Sequence, residues 1–248
     1  MNKKAYIAAG MACVAGCVIC ITTAFGHPPS RDLAQAVELP DTVQTEPETT
    51  EETTYQSPID FDSLHTQNPE IYAWIDIPGT EISYPIAQHS EDDSYYLSHD
   101  VHGNSAAEGT LFTEGKYNGT QFADKLTVVY GHNMKDQSMF GTLQSTYSDA
   151  DNFKNLNQIN IYLPDRELSF EIMAAVPYDN RHILYNYDLI TQQSRDMFAY
   201  SINSVRAIGA NLAQDPFELE ENDQVLVLST CQGSDHSARY IVVAVRKS

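Results

Sequence analysis

From about residue 58 onward the sequence predicts an all-β domain, either a closed barrel or a sandwich. Short runs rich in apolar and β-branched residues recur near 73–77, 81–86, 109–113, 126–130, 158–163, 167–176, 224–230 and 239–246. Turn signals such as Pro78-Gly79 and Pro164-Asp165 punctuate them. No helices alternate regularly with these runs, so the strands must hide their edges by closing on themselves or by stacking as two sheets.

Two helical pieces interrupt the strands. One spans Phe61 to Gln67, with Asn68-Pro69 after it offering a cap and a first-turn proline for a following turn. The other runs from Gln192 to Leu212, where Phe198, Ile202, Val205, Ile208 and Leu212 recur at spacings of three and four. That spacing predicts a long helix with an apolar stripe laid against the sheet, in the connection ahead of the last two strands.

The first quarter of the 248 residues has a different character. Ala5 to Phe25 carries no charge and follows Lys3 and Lys4. At about 1.5 Å per helical residue it reaches roughly the 30 Å of a hydrocarbon core. The lysines place the N-terminus in the cytoplasm and all that follows outside. A cleaved signal peptide normally has a shorter apolar region, and no Ala-x-Ala site follows. Val14-Ala-Gly-Cys17 resembles a lipidation site, but the sequence beyond Cys17 stays apolar. Residues 1–26 therefore read as a cytoplasmic end and an uncleaved membrane anchor. Residues 27–58, rich in Pro, Thr and Glu, cannot bury enough apolar surface to offset their ordering entropy and read as a disordered stalk. Residues 59–248 form the folded domain.

A formal net charge of -20 with no cluster of Lys and Arg excludes nucleic acid as a partner. Three of the four cysteines, Cys13, Cys17 and Cys20, lie within the anchor. The outer domain keeps only Cys231, so it contains no disulfide, and a lone extracellular thiol points to reactivity.

Cys231 closes one apolar strand, Val225-Leu-Val-Leu-Ser-Thr-Cys231, and Arg239 opens the next, Ala238-Arg-Tyr-Ile-Val-Val-Ala-Val245. In a hairpin that pairs Cys231 with Arg239, Ser229 faces Ile241 and Val227 faces Val243, which sets thiol and guanidinium on one face. A cysteine at a strand end is commonly a small buried residue. Here the polar, Gly-containing loop Gln232 to Ser237 places it at a barrel rim near solvent. A thiol nucleophile needs a base, and His132, at the end of Leu126-Thr-Val-Val-Tyr-Gly-His132, follows a rigid strand and a glycine. His236 shares the cysteine's loop and is the main rival, though a ring on a flexible loop is poorly held for proton transfer. His27, His65, His89, His99, His102 and His182 lie in segments with no sequence tie to the cysteine strand. Arg239, beside the thiol, is suited to donate to an oxyanion through its planar fork. No metal-ligand spacing or phosphate loop is present, and the chemistry requires no cofactor.

Thr-Cys at a strand end with Arg eight positions later, and Tyr130-Gly-His-Asn-Met at another strand end, resemble the active site of a sortase. Tyr130 to Gly141, Asn68-Pro-Glu-Ile-Tyr-Ala-Trp-Ile-Asp-Ile-Pro-Gly79 and Ser94-Tyr-Tyr-Leu-Ser-His-Asp100 resemble segments of class B sortases, in the same order. The resemblance covers about residue 59 to the C-terminus. It implies an eight-stranded sortase-type β-barrel with an N-terminal helical segment and a long helix before the cysteine strand. It also implies a cysteine transpeptidase in which Cys231, His132 and Arg239 are catalytic. Such an enzyme cleaves the C-terminal sorting signal of a surface protein after Thr, within Asn-Pro-x-Thr or a related Pro-x-Thr. It then passes the acyl group to an amine of peptidoglycan or its precursor. Two departures stand out: Val227 replaces the first Thr of the family's Thr-Leu-x-Thr-Cys, and Gln232-Gly233 stands where class B members often carry an aromatic residue and an acid. A pilin-polymerising sortase, with a pilin lysine as acceptor, is a second possibility within the class. A catalytically silent wall-bound binding module is the rival from outside it.

Overall fold

A computed structural model describes residues 55–232 and 235–246. The anchor and nearly all of the stalk expected from the sequence lie outside the described residues. Among the described residues, no helix is long and apolar enough to cross a membrane.

The strands are β1 (Ile71–Asp76), β2 (Ser83–Ala87), β3 (Leu111–Phe112), β4 (Leu126–Tyr130), β5 (Gln158–Tyr162), β6 (Glu167–Asp179), β7 (Asn211–Leu212), β8 (Gln224–Gln232) and β9 (Asp235–Arg246). The helices are α1 (Phe61–Gln67), α2 (Leu143–Tyr147), α3 (Ala150–Asn155), α4 (Ile183–Asn186) and α5 (Gln192–Asn203). Hydrogen-bonded neighbours run β5-β1-β2-β3-β4-β8-β9-β6, and β6 pairs back to β5. This closure makes an eight-stranded barrel of the eight strands read from the sequence. The short β7 adds to β6 at Ala174 and Ala175, beyond the stretch that β5 occupies.

Two apolar layers follow from strand alternation. Inside the barrel, Leu226 and Leu228 of β8 meet Val129, Ile161, Phe170, Tyr240 and Val242. On the outer face, Val225 and Val227 join Val128, Val176, Ile241 and Val243 under Ile183 of α4, Tyr187 just after it, and Phe198 and Ile202 of α5. The two layers explain why β4 and β8 read as unbroken apolar runs, since both of their faces are covered. In β6 the change shows within one strand: Glu167, Ser169 and Glu171 are exposed in alternation, whereas Ala174 to Val176 are all buried where the outer layer begins.

The helix expected over Gln192 to Leu212 ends at Asn203. Thr191 caps its start by accepting from the Ser194 N–H at 3.1 Å. At its end the Asn203 amide donates to the Phe217 carbonyl and accepts from the Phe217 N–H, both at 2.8 Å. The chain then turns through Gly209, at φ +81°, into β7. Phe198 and Ile202 make the expected stripe, but Ile208 is fully exposed and Leu212 belongs to a strand. Sheet pairing and the Asn203 tie outweigh a periodicity that runs past the helix. Asn68 acts in a turn as read, accepting from the Glu70 N–H at 2.9 Å.

Candidate active site

Register builds the site. β8 and β9 pair Cys231 with Arg239, Ser229 with Ile241 and Val227 with Val243, as the hairpin reading requires. β4 lies parallel to β8 on its other side, with Tyr130 level with Ser229. Counting two residues along each strand brings His132 level with Cys231. By alternation with the buried Val227, Cys231 stands on the outer face of the barrel at its rim. The polar loop expected over Gln232 to Ser237 is shorter than the sequence implies: Gln232 pairs with Asp235, and an irregularity after Cys231 absorbs the extra residues of β9. His236 thus belongs to a strand; its side chain lies outside the described residues.

Cys231, His132 and Arg239 line one cavity of about 260 Å³, together with Leu97, Glu114 and Tyr130. Cys231 is a half-exposed, unbridged thiol. Its carbonyl accepts from the Asn133 amide at 2.8 Å, tying the end of β8 to the residue after His132. The His132 Nε2 lies 2.8 Å from the Leu97 carbonyl. A carbonyl only accepts, so Nε2 carries the proton of the neutral ring and Nδ1 is left bare to exchange one. Leu97 ends a short 3-10 turn, Tyr95–Leu97, whose Tyr95 ring is stacked between His89 and His99 at centroid distances of 4.2 and 3.9 Å. Gly131 seats His132: a Cβ there would lie 2.3 Å from Leu111 Cδ2 and 2.6 Å from Phe140 Cδ2.

Beyond the three residues, the far wall is polar. The Tyr130 hydroxyl donates to Glu114 Oε2 at 3.2 Å, and burial, reinforced by that carboxylate, pushes the phenol well above its ordinary value. Arg239 lines the same cavity, and its charge opposes the shift. His182 caps α4 by accepting from the Tyr185 N–H at 3.1 Å, and its Nε2 lies 2.9 Å from Glu114 Oε2. His182 is therefore tied to the cysteine's cavity through Glu114, contrary to its remote place in the sequence. Glu114, Leu97 and Asn133 were not singled out from the sequence. Asn133 sits inside the Tyr-Gly-His-Asn-Met segment that could have flagged it, whereas Leu97 contributes only a backbone carbonyl, which no side-chain pattern reveals.

Residues 75–247 match the Sortase domain family. The chain belongs to the sortase family. A sortase B from Listeria monocytogenes is 44% identical over 88 residues, a stretch covering 36% of this chain and only 35% of that protein. A sortase B from Staphylococcus aureus is 23% identical over 188 residues, 74% of this chain and 73% of that protein. The solved Staphylococcus aureus sortase B–substrate complex superposes with a TM-score of 0.64 at 22% identity, over 77% of this chain and 87% of that one, and shares its fold. Its sortase B relatives are cysteine transpeptidases, and the chain falls in that enzyme class. Within the sortase pattern, Val227 fills the position of the family's Thr as a fully buried member of the outer apolar layer, so this departure affects strand packing.

Proposed function

We propose that this sortase cleaves a C-terminal sorting signal after Thr and transfers the acyl group to an amine of peptidoglycan or its precursor. The reading is carried by the meeting of a thiol, an imidazole with one bare nitrogen and a guanidinium in a single cavity at the barrel rim. The bare nitrogen of His132 takes the Cys231 thiol proton, the resulting thiolate attacks the Thr carbonyl, and Arg239 donates to the oxyanion. The C–N bond breaks as protonated His132 gives its proton to the departing amine. The acceptor amine then attacks the thioester, His132 takes a proton from it, and the C–S bond breaks to return the thiolate. Residues 5–25 would anchor the enzyme with its N-terminus in the cytoplasm, and residues 27–58 would hold the catalytic domain out from the membrane.

The test is to incubate the full chain with a panel of Pro-x-Thr peptides and identify products by mass spectrometry. A thioacyl adduct on Cys231 and cleavage after Thr are expected. Cys231→Ala should abolish both, and His132→Ala should lose most turnover while His236→Ala loses little. Turnover retained by Cys231→Ala would refute the nucleophile, and the reverse order of the histidines would move the acid and base role to His236.

A further inference from the structure

We propose that the outward side of α5, with Ile190 before it and Ile208 after it, is a docking face for the lipid surface beside which the enzyme is tethered. The inference rests on the anchor reading given above. Among the described residues, six large apolar side chains are exposed, and five of them, Tyr185, Ile190, Met197, Tyr200 and Ile208, fall within one stretch of the chain. The sixth, Leu97, lines the cavity of Cys231. Scattered exposed apolar residues are ordinary, whereas their concentration on one segment marks a surface that meets something other than water.

The helix shows how the face is made. At about 100° per residue, Met197 and Tyr200 project to one side. Phe198, Ala199 and Ile202, buried in the outer layer of the barrel, lie on the opposite side. Met197 and Tyr200 each keep more than half of their surface exposed, so packing within the domain gives no reason for their apolar character. Gln193 and Ser204 complete the outward side and carry no charge.

Charge and tether length choose the occupant. Residues 179–210 hold three arginines and three aspartates, so the net charge of -20 is carried entirely by the rest of the chain. An acidic surface is repelled by anionic lipid headgroups, which leaves this neutral segment as the side that can approach them. Apolar side chains with a tyrosine among them suit the boundary between headgroups and acyl chains. The tether keeps the bilayer within reach: residues 26–54 separate the anchor from the described chain, and a coil of about 30 residues has a root-mean-square span of roughly 30 Å. That span holds the domain at the membrane while letting it turn a face towards it. Cys231 stands on the outer face of the barrel, the face that α5 covers, so docking through α5 keeps the thiol on the membrane side.

The experiment reconstitutes the full chain, at less than one chain per vesicle, in vesicles of phosphatidylcholine and phosphatidylglycerol that include a phosphatidylcholine with a photoreactive diazirine near its headgroup. Lipid adducts are located by mass spectrometry after illumination. Within residues 55–246 they should concentrate on residues 190–208. Tyr200→Asp combined with Ile208→Asp should lower that yield by about tenfold or more, since burying one such side chain is worth about that factor. The same variant should keep wild-type Tm and wild-type cleavage of a Pro-x-Thr peptide in detergent solution. Adducts on residues 5–25 with none on 190–208, or a yield unchanged in the double variant, would overturn the docking face. Adducts on 190–208 with none on 5–25 would overturn the anchor and leave the face in place, and adducts at neither would overturn both. In vesicles loaded with many chains, chain-to-chain adducts of Met197 in place of its lipid adducts would overturn the lipid assignment in favour of a second copy.

Discussion

Replacing Gly131 by alanine should misplace His132 through packing alone. Carbon atoms in contact settle near 3.5 Å or beyond, so a Cβ at 2.3 Å from Leu111 Cδ2 and 2.6 Å from Phe140 Cδ2 is short by about 1.2 and 0.9 Å. Neither neighbour has free space to retreat into, because both are fully buried. The strain must therefore be shared with the backbone between Tyr130 and His132. Overpacking of this kind costs about 1–3 kcal/mol of stability, and a displacement near 1 Å at a reacting group costs about 10²-fold in rate. Thermal unfolding and peptide cleavage should show both losses in Gly131→Ala. Leu111→Ala alone should destabilise by about 2–5 kcal/mol, yet the double variant should be more stable than the sum predicts, because each change relieves the other. Wild-type stability and turnover in Gly131→Ala would refute the reasoning, and strictly additive losses would show that Leu111 is not what the new methyl meets.

The remaining predictions concern charge. Arg239→Lys should leave the fold intact, since the side chain is only half-buried at the end of a hairpin, and should reduce turnover by about 10²-fold, the scale of one lost oxyanion donor; near-normal rates would make Arg239 a structural cation. Asp179, at the end of β6, is held below the usual carboxylate range by hydrogen bonds from the Arg181 guanidinium. A carboxyl whose folded pKa is depressed stabilises the fold above its unfolded value near 3.9 and loses that contribution as pH falls through the folded value. The pair is half-exposed, so it contributes no more than about 1 kcal/mol. The Tm gap between wild type and Asp179→Asn should therefore be present at pH 7 and close on acidification below about pH 4; a gap independent of pH would refute the ion-pair account.

The parts of this protein legible in its sequence are those with short-range causes. Alternation and β-branched runs located the eight barrel strands, because each strand must present one face to the interior whatever its partners are. A hairpin that pairs Cys231 with Arg239 sets thiol and guanidinium on one face by alternation, and the strands adopt that register although an irregularity after Cys231 absorbs extra residues of β9. Local pattern misled where distant groups decide. The stripe from Phe198 to Leu212 continues at helical spacing, but the helix stops at Asn203, whose amide is bound by Phe217. The short α2, α3 and α4 carry too few residues to show a period and are stabilised by burying Leu143, Phe153 and Ile183 against the barrel.

Composition, periodicity and the order of three motifs by themselves determined the all-β class, the family resemblance and the identity of Cys231, His132 and Arg239 as site candidates. Only the tertiary structure decided that the eight strands close, which requires β5 to reach β6, a pairing that follows from the register of each neighbouring strand in turn. It alone placed His132 beside Cys231, through a parallel pairing of β4 with β8 across 99 positions of sequence. It also brought Leu97 to the imidazole and Glu114 and His182 to the cavity wall. The physical reason is the same in each case: a backbone carbonyl or a side chain on a distant loop has no periodic signature, and its role exists only when folding sets it within hydrogen-bond distance of its partner.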